Sequence, residues 1–225
     1  MLHRLQAVGC HSVPVGVMAS GLAAFRCQFN KRTDWVAYSV RVRRIVIVGG
    51  PGNGKSTLAG RIADQLGLAH IELDSLFHRP GWESVSPDEF RLQLRDAIDA
   101  AVHGWVICGN YDSVSQDIHL RLADTLIWLD LPRVTVTWRT ARRTIRRAVR
   151  RERLFGQEIR EPLGNFLRWD PNKNIIRWAW VYHPSYAVKG SRFFSEPEWA
   201  HLDAHHLRTP GAVADFLAGV ANDAR

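Results

Sequence analysis

The 225 residues carry a formal net charge of +8, an apolar fraction of 46% and three cysteines. That length suits one α/β domain with an insertion or a tail, and that apolar fraction is ample for a core. Cys10, Cys27 and Cys108 stand in no metal-binding spacing. Neither a disulfide framework nor a zinc site is indicated, no apolar run approaches the ~20 residues of a membrane span, and the expectation is a reduced, cytoplasmic protein.

Residues 1–40 carry no convincing period. Val13-Pro14-Val15-Gly16 and Asn30-Lys31-Arg32-Thr33-Asp34 read as turns. The basic start, unbroken apolar run and small-residue cleavage site of a signal peptide are not laid out here. Three explanations stand side by side: a disordered or loosely packed extension, an unusual targeting segment, or a start placed upstream of the true one at Met18, Val40 or Val42. The expected domain covers 41–225.

That domain is organised around Ile45-Val46-Ile47-Val48-Gly49-Gly50-Pro51-Gly52-Asn53-Gly54-Lys55-Ser56-Thr57-Leu58. A β-branched apolar run predicts a strand buried on both faces. The next residues fit G-x-x-x-x-G-K-[ST], a phosphate-binding loop. Such a loop needs backbone N–H groups to converge on phosphate oxygens, and glycines at 49, 50, 52 and 54 keep Cβ atoms out of the way. Lys55 then places a charge near the β- and γ-phosphates, and the Ser56 hydroxyl can ligate Mg²⁺. Leu58, Ile62 and Leu66 recur at helical spacing and Gly67 stops the helix, so the phosphates would meet a helix N-terminus.

Further along, Ala69 to Leu73 reads as a second strand ending at Asp74, followed by a loop through Phe77 and Trp82. Ser86-Pro87-Asp88-Glu89 is a helix start with a cap, a proline and two acids in the first turn. Trp105 to Gly109 is a third strand that delivers Asn110 and Tyr111. A short helical stretch over 115–122 precedes a fourth strand, Asp124 to Leu129, and the turn Asp130-Leu131-Pro132. A long helix follows from about Arg133. Asn174 to Val181 is helical again, Ala204 to Leu207 is a fifth strand, and Pro210 to Val220 a closing helix. Strands alternating with helices predict a doubly wound five-stranded parallel sheet with helices on both faces, of the P-loop NTPase class, with ligands at the carboxyl ends of the strands.

The strand ends supply candidates for chemistry. Asp74 can hold the Mg²⁺ water shell or take a proton from an acceptor hydroxyl; the alternative is a turn or capping role. Asn110 can bind an acceptor or phosphate, or form an ordinary Asx turn. Residues 139–153 hold eight arginines against one acid, Glu152. Arg139, Arg142, Arg143, Arg146 and Arg147 recur at helical spacing, and like charges so placed repel unless they face a polyanion. A triphosphate and its transition state are one such polyanion, and nucleic-acid backbone is the other. The aromatics between 155 and 199, Trp169, Trp178, Trp180, Tyr182, Tyr186 and Trp199, read as a lid or subdomain core, with base stacking as the alternative.

Together these features resemble the adenylate-kinase group of P-loop kinases. The resemblance rests on the phosphate-binding loop, the Leu129-Asp130-Leu131-Pro132 turn and Arg139 and Arg143 after it. Within that group the chain is most similar to the DNA topology modulation protein family, through Leu73-Asp74-Ser75-Leu76-Phe77-His78-Arg79-Pro80-Gly81-Trp82, Gly109-Asn110-Tyr111 and the Arg-Arg pairs. The resemblance implies an Arg-rich helical lid and insertion over 139–195, with Arg139 packing on the base of ATP and Arg143 contacting the phosphates. Two departures stand out. The AMP-binding motif after the third strand is missing, and Cys108 occupies a place where relatives often carry an acid.

The expected function is transfer of the γ-phosphoryl of ATP to a small acceptor, a nucleotide or other small metabolite. Gly49, Gly50, Pro51, Gly52, Asn53, Gly54, Lys55, Ser56, Thr57 and Arg139 would bind ATP, and Ser56 and Asp74 would hold Mg²⁺. Lys55, Asp74, Arg142, Arg143 and Arg147 would act in catalysis, with Asp74, Phe77, Trp82, Asn110 and Tyr111 at the acceptor. The alternatives are a nucleotide-dependent nucleic-acid-binding protein and a nucleotide sensor without catalysis. A monomer or a dimer fits equally, and no membrane partner is expected.

Overall fold

The computed structural model describes residues 44–153 and 168–223. The expectations for the extension over 1–40, for its three candidate start residues and for the part of the insertion over 154–167 lie outside the described residues.

Five strands form one parallel sheet in the order β2–β5–β1–β6–β7. They are β1 (Arg44–Val48), β2 (Ala69–Glu72), β5 (Trp105–Cys108), β6 (Thr125–Leu129) and β7 (Asp203–Leu207). The central strand shows why it is a continuous apolar run rather than an alternating one. Ile45, Val46 and Ile47 are wholly buried, Val48 nearly so, because both faces are covered by helices. Val46, Val48, Ile107, Leu126 and Trp128 point to one core. That core is closed by α3 (Pro87–Ala100), α4 (Asp112–Leu122) and, within the insertion, α7 (His183–Ser195). Ile45, Ile47, Val106, Cys108, Ile127 and Leu129 point to the other, against α1 (Lys55–Leu66) and α8 (Pro210–Asp223). This is the doubly wound P-loop NTPase fold, with the phosphate-binding loop at the carboxyl end of the middle strand.

Local chemistry sets the helix ends. Gly54 and Gly67 bracket α1 with φ of 92° and 65°, left-handed values that favour glycine. The Ser86 hydroxyl caps α3 by accepting the Glu89 N–H, with Pro87 in the first turn. The Asn174 side chain caps α6 (Ile175–Val181) by accepting from the N–H groups of Ile176 and Arg177.

Two elements differ from the sequence expectation. The second strand ends at Glu72, and residues 73–77 turn into α2 (Leu73–Phe77). The Ser75 hydroxyl donates to the Glu72 carbonyl at 2.6 Å, which favours the helical turn, and Leu73 is wholly buried beneath Gly109. The expected open loop is instead α2 followed by a small hairpin, β3 (His78–Arg79) and β4 (Glu83–Ser84). The long basic helix α5 (Arg133–Arg150) packs against the phosphate-binding loop. Its apolar stripe, Val136, Thr140, Thr144 and Ala148, is buried. A Cβ on Gly52 would strike the Val136 carbonyl and the Thr140 hydroxyl. The insertion packs likewise: Gly190 on α7 lies against the Trp128 indole, and just past the insertion Trp199 is buried in the first core.

One buried titratable group bears on stability. His119 on α4 is wholly buried, and that burial pushes its pKa down to about 4, against weaker opposition from the Ser115 backbone and Asp117. The folded value lies below the ordinary 6.5, so the neutral ring is the folded form. Its contribution is fully present above pH 6.5 and is lost as the pH falls toward 4, by up to about 3 kcal/mol. Urea denaturation between these pH values is expected to show that loss, and His119→Leu is expected to remove most of the slope.

Candidate functional site

The phosphate-binding loop is pinned from both sides by amide side chains. Asn53, buried, accepts the Leu131 N–H at 2.9 Å and donates to the Gly50 carbonyl at 3.1 Å. Asn110, at the end of β5, accepts the Gly49 N–H at 3.2 Å and donates to the Gly49 carbonyl at 2.7 Å. The structure therefore places Asn110, expected at the acceptor, on the loop itself, where its amide pairs with both backbone groups of Gly49. Tyr186 of α7 packs its ring on Gly50, and its hydroxyl accepts from the Trp178 indole N–H at 3.0 Å. The sequence suggested a lid or subdomain core for this tyrosine, with base stacking as the alternative.

Within the loop, Lys55 Nζ donates to the carbonyls of Gly49 and Gly50 at 2.7 and 3.2 Å. Burial lowers its pKa; Asp74 is the carboxylate that opposes this most, and Arg143 adds to the lowering. Asp74, Lys55 and Arg143 thus share one electrostatic neighbourhood.

The carboxylate beside the Ser56 hydroxyl is Glu72, not Asp74. Ser56 Oγ donates to Glu72 Oε1 at 2.5 Å. The sequence reading gave Asp74 the metal role and did not single out Glu72. The geometric reason is register. Glu72 on β2 is the partner of Cys108 on β5, and the Cys108 thiol lies 3.8 Å from Ser56 Oγ. Glu72 thus stands one strand over from Cys108, at the same level of the sheet. Burial, then Glu72, push the Cys108 thiol up to about 12, so it stays protonated and offers no competing charge. The signal was present as an acid–Leu–Asp sequence at a strand end, but only the sheet order shows which acid faces the loop.

Asp74, on α2, accepts the Tyr111 hydroxyl proton at 2.7 Å. Burial and then Asp74 raise the Tyr111 pKa well above the usual phenol range, so this hydroxyl remains a donor. His78 Nε2 lies 3.5 Å from the same hydroxyl, and burial lowers its pKa. Behind them Phe77 packs on Tyr111 and edge-on to Phe90, with ring centroids 4.7 and 5.5 Å apart. Phe77 supports the site from the core side. Trp82 stands at the hairpin, edge-on to His78 at 5.3 Å and 39% exposed.

The arginines divide by helix face. Arg139, Arg143 and Arg147 form one row four residues apart, of which Arg143 and Arg147 are half-buried and Arg139 exposed. Arg142 is exposed on the side opposite the buried stripe, beside Trp138, Ala141, Ile145 and Arg146. That position corrects the expectation of a catalytic Arg142: about 100° per residue carries it away from the loop.

The site fits a nucleotide phosphate and Mg²⁺. Glycines at 52 and 54 hold φ of 81° and 92°, left-handed values that let the loop turn into the N-terminus of α1, where anions are favoured. Among the described residues no group of three or more His, Cys, Asp or Glu is placed to hold a metal ion by itself. One hydroxyl and one carboxylate suit Mg²⁺, which keeps several waters and completes its shell with phosphate oxygens. No helix among the described residues is long and apolar enough to cross a membrane.

No protein-family model matches the chain, and comparison with curated proteins finds no match. Among solved structures it is similar to a shikimate kinase from Acinetobacter baumannii in complex with shikimate, with 16% identity, a TM-score of 0.43 and coverage of 80% of this chain and 90% of that one. It is similar to an unliganded sugar kinase from Janibacter sp., with 17% identity, a TM-score of 0.46 and coverage of 82% and 99%. A gluconokinase from Sinorhizobium meliloti gives 14% identity, a TM-score of 0.42 and coverage of 81% and 91%. The fold itself rests on the sheet order and the loop geometry.

Proposed function

We propose that the protein is an ATP-dependent phosphotransferase acting on a small hydroxyl-bearing acceptor. The observation that carries this reading is Asp74: a carboxylate oriented by Tyr111, beside the phosphate-binding lysine, at the edge of the sheet where the loop opens. A pure binding module needs the loop but has no use for an oriented carboxylate there.

In this reading the loop amides and Lys55 hold the β- and γ-phosphates. Ser56 and Glu72 hold Mg²⁺, which when bound neutralises charge on the phosphate oxygens. Asp74 takes the proton of the acceptor hydroxyl, and Tyr111 keeps the carboxylate aimed. Arg143, with Arg147 one turn on, stabilises charge on the transferring group. Arg139 continues that row outward to the base of ATP. The resemblance to topology modulation proteins and a cytoplasmic location belong to the same proposal.

The test is ATP consumption by the purified full chain against a panel of nucleosides, nucleotides and small metabolites, with Lys55→Ala as the blank. The expected result is one acceptor that raises Lys55-dependent turnover well above the water-only rate. A flat panel with ATP still bound would turn the reading to a nucleotide sensor. A second reading, polyanion binding, is favoured by one observation: Arg142, Arg146 and Arg150 face solvent together with Trp138. Nucleic-acid affinity falling with a log–log salt slope of about 0.9 per phosphate would favour it.

A further inference from the structure

Resting on the phosphotransferase reading, we propose that the acceptor carries no phosphate or other anionic group, and docks a ring face against Trp82 and His78 while its hydroxyl meets Asp74. The argument is the division of charge across the site. The cations Lys55 and Arg143 act on one another at the phosphate-binding loop. On the acceptor side stand the Asp74 carboxylate and the neutral Tyr111 phenol that donates to it, while Glu72 faces Ser56 on the loop side. His78 does not restore a positive charge there, because its burial favours the neutral ring. Arg79, the arginine of the hairpin, turns to α3 and pairs with Glu89. Arg91 on α3 is engaged by both carboxylate oxygens of Asp117. Among the described residues an acceptor phosphate would therefore meet the Asp74 charge, with Arg79 and Arg91 already paired.

The hairpin supplies the second half of the argument. Trp82 holds a φ of 64°, a left-handed conformation that is an outlier for a bulky side chain and persists only where its surroundings impose it. The surroundings here are a two-residue antiparallel pairing, His78 with Ser84 and Arg79 with Glu83, and the bond from the Val85 N–H to the Phe77 carbonyl at 3.0 Å. They keep the exposed indole edge-on at the His78 ring, and His78 Nε2 lies 3.5 Å from the Tyr111 hydroxyl that donates to Asp74. A sugar or a base presents a face that such an indole can cover.

The step balances without another reactant. The acceptor hydroxyl oxygen forms a bond to the γ-phosphorus of ATP, the bond from that phosphorus to the bridging oxygen breaks, and ADP leaves with the electron pair. The hydroxyl proton passes to Asp74.

The experiment sets uncharged acceptors against their phosphorylated counterparts on the full chain: adenosine with AMP, cytidine with CMP, glucose with glucose 6-phosphate. ATP consumption is read alongside calorimetric binding of each acceptor without ATP. An uncharged member is expected to exceed its counterpart about 100-fold in kcat/KM, the size of a like-charge repulsion at ~6 Å and an effective dielectric of about 20. Calorimetry is expected to show the same order. Trp82→Ala is expected to raise KM about 10-fold with kcat retained. A phosphorylated member that is turned over as well as its partner would overturn this proposal and leave the phosphotransferase reading standing. ATP bound, with no member of any pair bound or turned over, would overturn both. A Trp82→Ala protein with unchanged KM would overturn the ring contact.

Discussion

Asp74→Asn is expected to lower kcat by about 10²- to 10⁴-fold while ATP binds as before; Glu72→Gln is expected to raise the Mg²⁺ concentration needed for half-maximal turnover. The two side chains are two residues apart, yet the structure gives them different partners. Asp74 accepts from Tyr111 on the acceptor side, so its amide loses the ability to take a proton but keeps its shape. Glu72 accepts from Ser56 on the loop side, so its amide offers a weaker ligand to a hard cation and leaves the proton acceptor intact. Titrating Mg²⁺ and ATP separately in each variant reads the difference. If Asp74→Asn shifted the Mg²⁺ requirement and left kcat alone, the assignment of roles would be reversed.

Gly190→Ala is expected to destabilise the chain by about 2 kcal/mol, near the middle of the usual cost of overpacking even after the better helix propensity of alanine is counted. A Cβ at Gly190 would overlap the indole atoms Cε2, Cζ2 and Nε1 of Trp128. That indole has little room to yield: it is 5% exposed and stacked on His206 at 3.7 Å, whose Nε2 lies 3.0 Å from Asp130 Oδ2. The helix must give way instead. Tyr186 sits one turn before Gly190 on α7 and packs on Gly50 of the phosphate-binding loop, so the same change is expected to weaken ATP binding. Thermal unfolding with and without ATP measures both, with a midpoint lower by about 4–8 °C. An unchanged midpoint would mean that α7 is not seated on the sheet through this contact.

Much of the fold follows from local signals. The run Ile45 to Val48, the glycines of the loop and the Gly-Lys-Ser-Thr that opens α1 fix a strand, a turn and a helix through periodicity, glycine freedom and capping alone. The same holds for Ser86 and Pro87 at the start of α3. Five strands alternating with helices were enough to determine a parallel, two-faced sheet, since parallel strands need crossovers.

What the sequence could not decide was which side chains meet across elements. Glu72 and Asp74 look equivalent at a strand end. Glu72 faces Ser56 because its register partner on the neighbouring strand is Cys108, and Asp74 turns to Tyr111 because residues 73–77 enter a helical turn. Asn110 is spent on Gly49 because β5 lies next to β1, a matter of strand order rather than composition. Arg142 and Arg143 are adjacent in the chain but lie on different sides of α5, and only the packing of Val136 and Thr140 against Gly52 fixes which side meets the phosphates. Backbone geometry is dictated by neighbours in sequence. The pairing of side chains is dictated by neighbours in space, and it is there that the chemistry of this site was decided.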